Sequence, residues 1–228
     1  DAHAGKTGLS ETMSPGSIAS LAQSSEIAFR VRFDGEMPAK GKLYWRGPVM
    51  ESFDGTTWRP FPGRQAAERL ELISSPISYE TTLEAHNQRW LLALDAPGGL
   101  PAEIALNGTL TAASRQPIST RQRFRLSASL DYRFNTAENP AVLRRNLALP
   151  AGQNPRTRQL ANDWRQGEKS PDAIIRKTLA LFANEFFYTL RPPLLGENGV
   201  DDFLFQTKRG FCEHYAAAFV VLMRNAGI

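Results

Sequence analysis

The chain has 228 residues, 42% of them hydrophobic and 22% charged, a balance that excludes a wholly disordered or fibrous polymer and suits one or two globular domains. The net charge of +4 is diluted: Arg115, Arg121, Arg123 and Arg125 stand between Thr, Ser, Phe and Leu, and no dense basic face points to nucleic acid. The longest apolar run, Ala216 to Met223, is far short of the roughly 20 residues of a spanning helix, so no segment is expected to cross a membrane.

Residues 1–8, with Gly5 and Gly8, read as a flexible leader, and Ser10, Ser14, Pro15 and Gly16 continue a loose segment. Asp1 to Lys6 lacks a basic-then-apolar secretion pattern, so any signal or anchor would lie outside this sequence. A β-rich domain is predicted over residues 9–134. Ile27, Phe29, Val31 and Phe33 alternate with polar neighbours, as do Ile77, Tyr79, Thr81 and Leu83. Leu43 to Met50 reads as a strand interrupted by Gly47-Pro48. Asp54-Gly55 predicts a hairpin closing on Trp58. Trp90 to Leu94 is a short apolar run stopped by Pro97-Gly98-Gly99. From Phe124 to Phe134 one face is apolar and the other charged or hydroxylated, which predicts a single long strand. Many short strands without an intervening helix suggest an antiparallel sandwich or open barrel, with Trp45 and Trp58 packing inside it.

The period then changes. Asn154-Pro155 predicts a helix start, with Leu160 and Trp164 on one face. Ser170-Pro171-Asp172 predicts another, carrying Ile174, Ile175, Thr178, Leu179, Leu181 and Phe182; Asp172 complements its dipole. Residues 191–200 read as a loop. The expected class is therefore α+β: an N-terminal antiparallel β-sandwich-like domain, then a helical part over residues 135–228.

Chemistry concentrates at Gly210-Phe211-Cys212-Glu213-His214-Tyr215. Gly210 breaks regular structure just before a helical apolar pattern, and Gly227 suits its C-terminal cap. Cys212, the one cysteine and so without a disulfide partner, falls in the first turn. There, free N–H groups and the positive end of the dipole favour a thiolate and can hold an oxyanion. Two readings stand: a small core residue, or an acyl-transfer nucleophile. His214 lies two residues on, about 200° around the helix, and is a poor base for Cys212. His3 and His86 lie far off in the sequence. Asp201 and Asp202 are better read as a helix N-cap than as a catalytic pair. No His, Cys and carboxylate cluster has metal-ligand spacing, and no phosphate loop is present, so no metal or cofactor is expected.

These residues, with Ala216, Phe219, Leu222-Met223-Arg224 and Ala226-Gly227-Ile228, resemble the nucleophile helix of the bacterial transglutaminase-like superfamily, and within it the TgpA type. Phe187-Tyr188-Thr189-Leu190, Pro192-Pro193 and Val200 to Phe205 extend the resemblance. So do Met13 to Gly16, Leu43 to Gly47, Phe53-Asp54-Gly55 and Trp58. It implies the helical front part of a papain-like transglutaminase fold, ending on the nucleophile helix, in an inner-membrane protein whose catalytic domain is periplasmic. It implies that Cys212 attacks a glutamine carboxamide, and that an amine acceptor or water resolves the thioester. Partners would be a protein or peptide glutamine donor and an amine, in a parent anchored to the membrane on both sides of this region. Tyr188 would donate at the oxyanion position or line the acyl groove, or pack as an ordinary aromatic. The family's triad His and Asp follow this helix and are not among the 228 residues, so the chain alone is expected to be inactive. Alternatives are a cysteine peptidase or amidase, and a non-catalytic cell-envelope binding domain.

Overall fold

The computed structural model describes residues 10–18, 23–61 and 70–228. The leader at 1–8 and His3 lie outside the described residues. The strands, in chain order, are β1 (Phe29–Phe33), β2 (Trp45–Arg46), β3 (Ser52–Phe53), β4 (Trp58–Arg59), β5 (Leu70–Leu72), β6 (Ile77–Leu83), β7 (Ala93–Leu94), β8 (Pro97–Gly98), β9 (Ile104–Leu106), β10 (Ala112–Ser114), β11 (Gln122–Ala128), β12 (Tyr132–Phe134), β13 (Phe187–Tyr188) and β14 (Arg209–Gly210). The helices are α1 (Pro140–Asn146), α2 (Pro155–Gly167), α3 (Pro171–Glu185), α4 (Gly199–Asp202) and α5 (Cys212–Asn225). The class is α+β, antiparallel sheets first and helices after. No helix among the described residues is long and apolar enough to cross a membrane.

The chain divides into two compact units that do not follow a single cut near residue 135. One unit takes Ser24–Val49 and Phe61–Glu138; the other takes Ser10–Gln23, Met50–Pro60 and Asn139–Ile228. The helical unit thus borrows two pieces from the β-rich half of the sequence.

In the β-rich unit, β1, β6, β11 and β8 form an antiparallel sheet in that order. Its register pairs Phe33 with Tyr79 and Tyr79 with Leu126, then Val31 with Thr81 and Thr81 with Phe124. These residues share one face, and a one-residue slip would expose them all. Tyr79, Leu83, Leu91, Leu94, Ile118 and Leu126 are buried behind that face, and Trp45 sits edge-on to Phe29 and Tyr79 at 5.2 and 5.7 Å. The Leu94 N–H donates to the Tyr79 hydroxyl at 2.9 Å, and burial pushes that phenol up to about 12. The long strand expected to run to Phe134 is two strands. Ser129 interrupts it: its hydroxyl donates to the Ser74 and Asp131 carbonyls at 3.0 and 2.7 Å, and β12 turns away to pair with β5. The strand expected over Leu43–Met50 shrinks to β2, paired with β7.

In the helical unit, α1 starts on the same Asn-Pro signal as α2: Asn139 Oδ1 accepts from the Ala141 N–H at 2.9 Å. Ser170 Oγ caps α3 through the Ala173 N–H at 3.4 Å. Ala161 of α2, Ile174 of α3, Leu222 and Met223 of α5, and Ala226 just after it form one core cluster. The expected hairpin is β3–β4, but it belongs here. Trp58 stacks on Phe53 at 4.4 Å and packs with Phe182, Phe186, Val200 and Phe203. The expectation that Trp58 packs the β-rich domain is therefore corrected: the hairpin's apolar side meets the helices. At its turn Gly55 has φ +109°, and a Cβ there would fall 2.0 Å from the Gln153 amide oxygen.

Candidate active site

The approach to Cys212 is built from short, tightly constrained pieces. After α4 the chain continues through a π-helical turn, Phe203–Thr207. Lys208 then takes a left-handed conformation, φ +48°, and redirects the chain into β14. There β14 runs parallel to β13, with the Phe187 N–H on the Lys208 carbonyl at 2.9 Å and the Thr189 N–H on the Gly210 carbonyl at 2.8 Å. Gly210 is needed for contact as well as for breaking the helical pattern: a Cβ there would lie 2.7 Å from His214 Cβ and Cγ and 2.9 Å from Phe203 Cε2.

Cys212 is the first residue of α5 and is exposed. It is not a core residue. Its neighbours are divided by the helical period of about 100° per residue: Cys212 and Ala216 face out, while Glu213, His214 and Ala218 face in. The His214 and Tyr215 N–H groups bond to the Phe211 carbonyl at 2.9 and 3.3 Å. The N–H groups of Cys212 and Glu213 find no acceptor among the described residues. Two free donors thus stand at the positive end of a 14-residue helix, beside a solvent-facing sulfur.

His214 Nδ1 accepts from the Phe211 N–H at 3.4 Å, and its ring packs edge-on to Phe211 at 4.8 Å. Burial holds the imidazole below its ordinary range, and its Nδ1 lies 4.0 Å from the carboxylate of the neighbouring Glu213. His86 lies in the β-rich unit, stacked on Trp90 at 4.3 Å. Tyr188 is 64% exposed and stacks on Tyr215 at 6.1 Å. It is therefore not a packed core aromatic. Tyr215 in turn belongs to a cluster with Phe182, Phe186 and Phe203, at 5.3, 6.1 and 5.2 Å.

Asp201 and Asp202 do not act as a pair. Asp201 caps α2 from 44 residues away: its carboxylate accepts from the Arg156 and Thr157 N–H groups at 2.9 and 2.8 Å and from the Thr157 hydroxyl at 2.6 Å. Asn154, which sequence placed as the cap of α2, instead serves α4, its Oδ1 accepting from Val200 and Asp201 N–H, both at 3.1 Å. The two helices exchange caps. Asp202 accepts from the Gly196 N–H at 2.7 Å and from Gln206 at 2.8 Å.

Sequence reading missed Glu213. An acid in a first helical turn ordinarily faces solvent, but this one is buried. Its carboxylate accepts from the Gly16 N–H, from the Ile18 N–H at 3.3 Å and from the Ser17 hydroxyl at 3.4 Å. Burial raises its proton affinity, and those three bonds oppose the rise. A cavity of about 50 Å³ lies beside it, bounded by Ser14, Pro15, Trp58, Val200, Phe203 and His214 among others. Among the described residues no cluster of three His, Cys, Asp or Glu side chains could hold a metal.

Two family profiles match the chain: the TgpA N-terminal domain over residues 1–135 and the transglutaminase-like superfamily over residues 158–228. The chain is 41% identical, over 227 residues, to a protein-glutamine gamma-glutamyltransferase of Pseudomonas aeruginosa; the match covers 98% of this chain and 34% of that protein. The chain therefore spans about a third of that relative's length. It is also 37% identical over 91 residues to the uncharacterized protein YebA of Bacillus subtilis, covering 37% of this chain and 12% of YebA. Crystal structures of the periplasmic domain of TgpA from P. aeruginosa superpose with TM-scores of 0.93 and, bound to ethylmercury, 0.92. Both are 41% identical and match 97% of this chain, against 78% and 80% of theirs.

Proposed function

The chain belongs to the TgpA family of transglutaminase-like proteins, and from that we propose that it carries the nucleophile of a protein-glutamine acyltransferase working in the periplasm, within a protein anchored to the inner membrane. The observation that carries the reading is the exposed sulfur of Cys212 at the first position of a helix that buries its opposite face, with unclaimed N–H groups beside it. The thiolate attacks the side-chain carboxamide carbon of a glutamine. A C–S bond forms, the tetrahedral oxyanion is held by the free Cys212 N–H, and the C–N bond breaks as ammonia leaves carrying the proton that the Cys212 thiol gave up. A primary amine then attacks the thioester carbon, the C–S bond breaks, and the proton lost by the amine nitrogen returns to the departing sulfur as the isopeptide forms. The imidazole of His214 takes no part, since it faces the interior and is already engaged by Phe211. We assign the stacked rings of Tyr188 and Tyr215, the latter one helical turn from Cys212, to the acyl-binding side of the site.

The test is covalent capture. A glutamine peptide whose carboxamide is replaced by a chloromethyl ketone should add one equivalent to the 228-residue chain, with the mass mapped to Cys212 and lost in Cys212→Ser. The same reagent should react with Cys212 at least tenfold faster than with free cysteine. Reaction no faster than free cysteine overturns the nucleophile reading. Amine incorporation and ammonia release by the whole enzyme separate transfer from hydrolysis.

A further inference from the structure

Glu213 sits immediately after Cys212, yet it spends its carboxylate on a segment 195 to 197 residues earlier in the sequence. All three donors come from consecutive positions, Gly16, Ser17 and Ile18. That strap has its own fixings. Met13 and Trp58 exchange N–H to carbonyl bonds at 3.0 and 2.7 Å, which ties its start to the β3–β4 hairpin. The Ser17 N–H bonds to the Ser14 carbonyl at 2.9 Å, closing a turn in which Gly16 takes φ +87°.

The helical period locates the strap relative to the sulfur. Glu213 is about 100° from Cys212 on one side, and Tyr215 about 60° on the other, given 3.6 residues per turn. Tyr215 carries Tyr188 stacked on it, and Glu213 carries the strap. Between them, Cys212 and Ala216 are open. The exposed sulfur thus stands between a helix position that carries a stacked aromatic pair and one that carries main chain.

A dipole-complementing acid would not need this geometry. Such an acid gains its small stabilisation while hydrated, whereas Glu213 is desolvated and then compensated by donors that all belong to one segment. Resting on the nucleophile reading of Cys212, we propose that Glu213 is a positioning residue: it clamps residues 16–18 along the sulfur as the second wall of the acyl groove, and that wall reads the polypeptide carrying the reactive glutamine.

The experiment uses the full 228-residue chain, as wild type, Glu213→Gln and Ser17→Ala. Gln keeps one acceptor oxygen and replaces the other with a donor that faces donors. Amide hydrogen exchange at Gly16 and Ile18 should quicken at least tenfold in Glu213→Gln, the effect of losing about one net charged hydrogen bond. Inactivation by the glutamine-peptide chloromethyl ketone should show KI raised about tenfold with kinact within threefold, while alkylation by iodoacetamide changes less than threefold, the same free-energy scale applied to the peptide alone. Ser17→Ala removes one donor and leaves the acid in place, so it should raise KI about two- to threefold by the same reckoning; it stands in where Glu213→Gln fails to fold. Unchanged exchange overturns the clamp. Faster exchange with an unchanged KI, or equal losses with peptide reagent and iodoacetamide, overturns the wall. Protected wild-type amides with no peptide adduct would overturn the nucleophile reading, and the groove wall with it.

Discussion

Removing the Asp201 carboxylate tests whether exchanged caps hold the scaffold under the nucleophile helix. Asp201→Ala leaves the Arg156 and Thr157 N–H groups and the Thr157 hydroxyl without their acceptor, and Thr157 is fully buried. Loss of an N-cap costs about 1 kcal/mol, loss of the charge at the helix N-terminus about 1 kcal/mol, and stranding a buried hydroxyl about 1–3 kcal/mol. The expected destabilisation is about 3–5 kcal/mol, or roughly 10 °C in Tm for a protein of this size. Asp201→Asn keeps the shape but only one acceptor oxygen, and should cost about half as much. Asn154→Ala removes the return cap to α4 and puts alanine at φ +48°. Its own cost should be about 2–3 kcal/mol, from one cap plus left-handed strain. Because the two caps close one ring of hydrogen bonds, the double variant should cost less than the sum by about 1 kcal/mol or more. Urea unfolding followed by circular dichroism, with exchange at Arg156 and Thr157, measures all four. A loss below about 1 kcal/mol in Asp201→Ala, with those two amides still protected, would refute the reasoning.

Three further expectations follow from single contacts. Trp58 Nε1 is buried without a hydrogen-bond partner among the described residues. Trp58→Phe keeps the stack on Phe53 and deletes that donor, so it should cost under about 1.5 kcal/mol, against about 3–5 kcal/mol for Trp58→Ala; comparable losses in the two would be contrary. Burial holds His86 below its ordinary range. The unfolded chain therefore binds that proton first, and the stability it provides is full above about pH 6.5 and falls as acid is added, by at most about 1.4 kcal/mol per pH unit. Urea midpoints at pH 7.5, 6 and 5 should fall more steeply in wild type than in His86→Phe, and parallel profiles would count against the assignment. Gly210→Ala drives a methyl into His214 and Phe203, for an expected loss of about 1–3 kcal/mol in thermal melts, where an unchanged Tm would show that the contact is loose.

Local period carried much of the fold. The alternation through Phe29–Phe33 and Ile77–Leu83 is sharp because one face of that sheet is buried and the other is a ladder of charge, Glu80 lying 3.6 Å from Arg32 and 3.7 Å from Arg123. Asn-Pro and Ser-Pro marked helix starts for the same reason: proline's fixed φ suits the first turn. What stayed hidden depends on contacts far apart in sequence. Asp54-Gly55 announces a hairpin, but its pairing of Ser52 with Arg59 says nothing of what its apolar side will meet. Asp201 was legible as a cap, yet its helix begins 46 residues earlier. Glu213 was invisible, because the donors that make its burial tolerable lie near the other end of the sequence.

That hidden layer is what fixes the sulfur. Cys212 makes no side-chain bond to any described residue, so nothing it does itself holds its place. Its position is inherited from Gly210, which lets His214 close onto the preceding strand, and from Glu213, Ala218, Val221 and Leu222, which bury the faces of α5 beneath it. A side chain free to react must be unengaged in the resting state. Precision then has to come from the backbone, and the backbone is held by residues whose partners are brought in from the β-rich half of the sequence. Substitutions at Met13, Trp58 or Gly16–Ile18 should therefore alter reactivity at Cys212 without touching it, and a chain beginning after residue 23 should lose both the β4 bridge and the Glu213 clamp together.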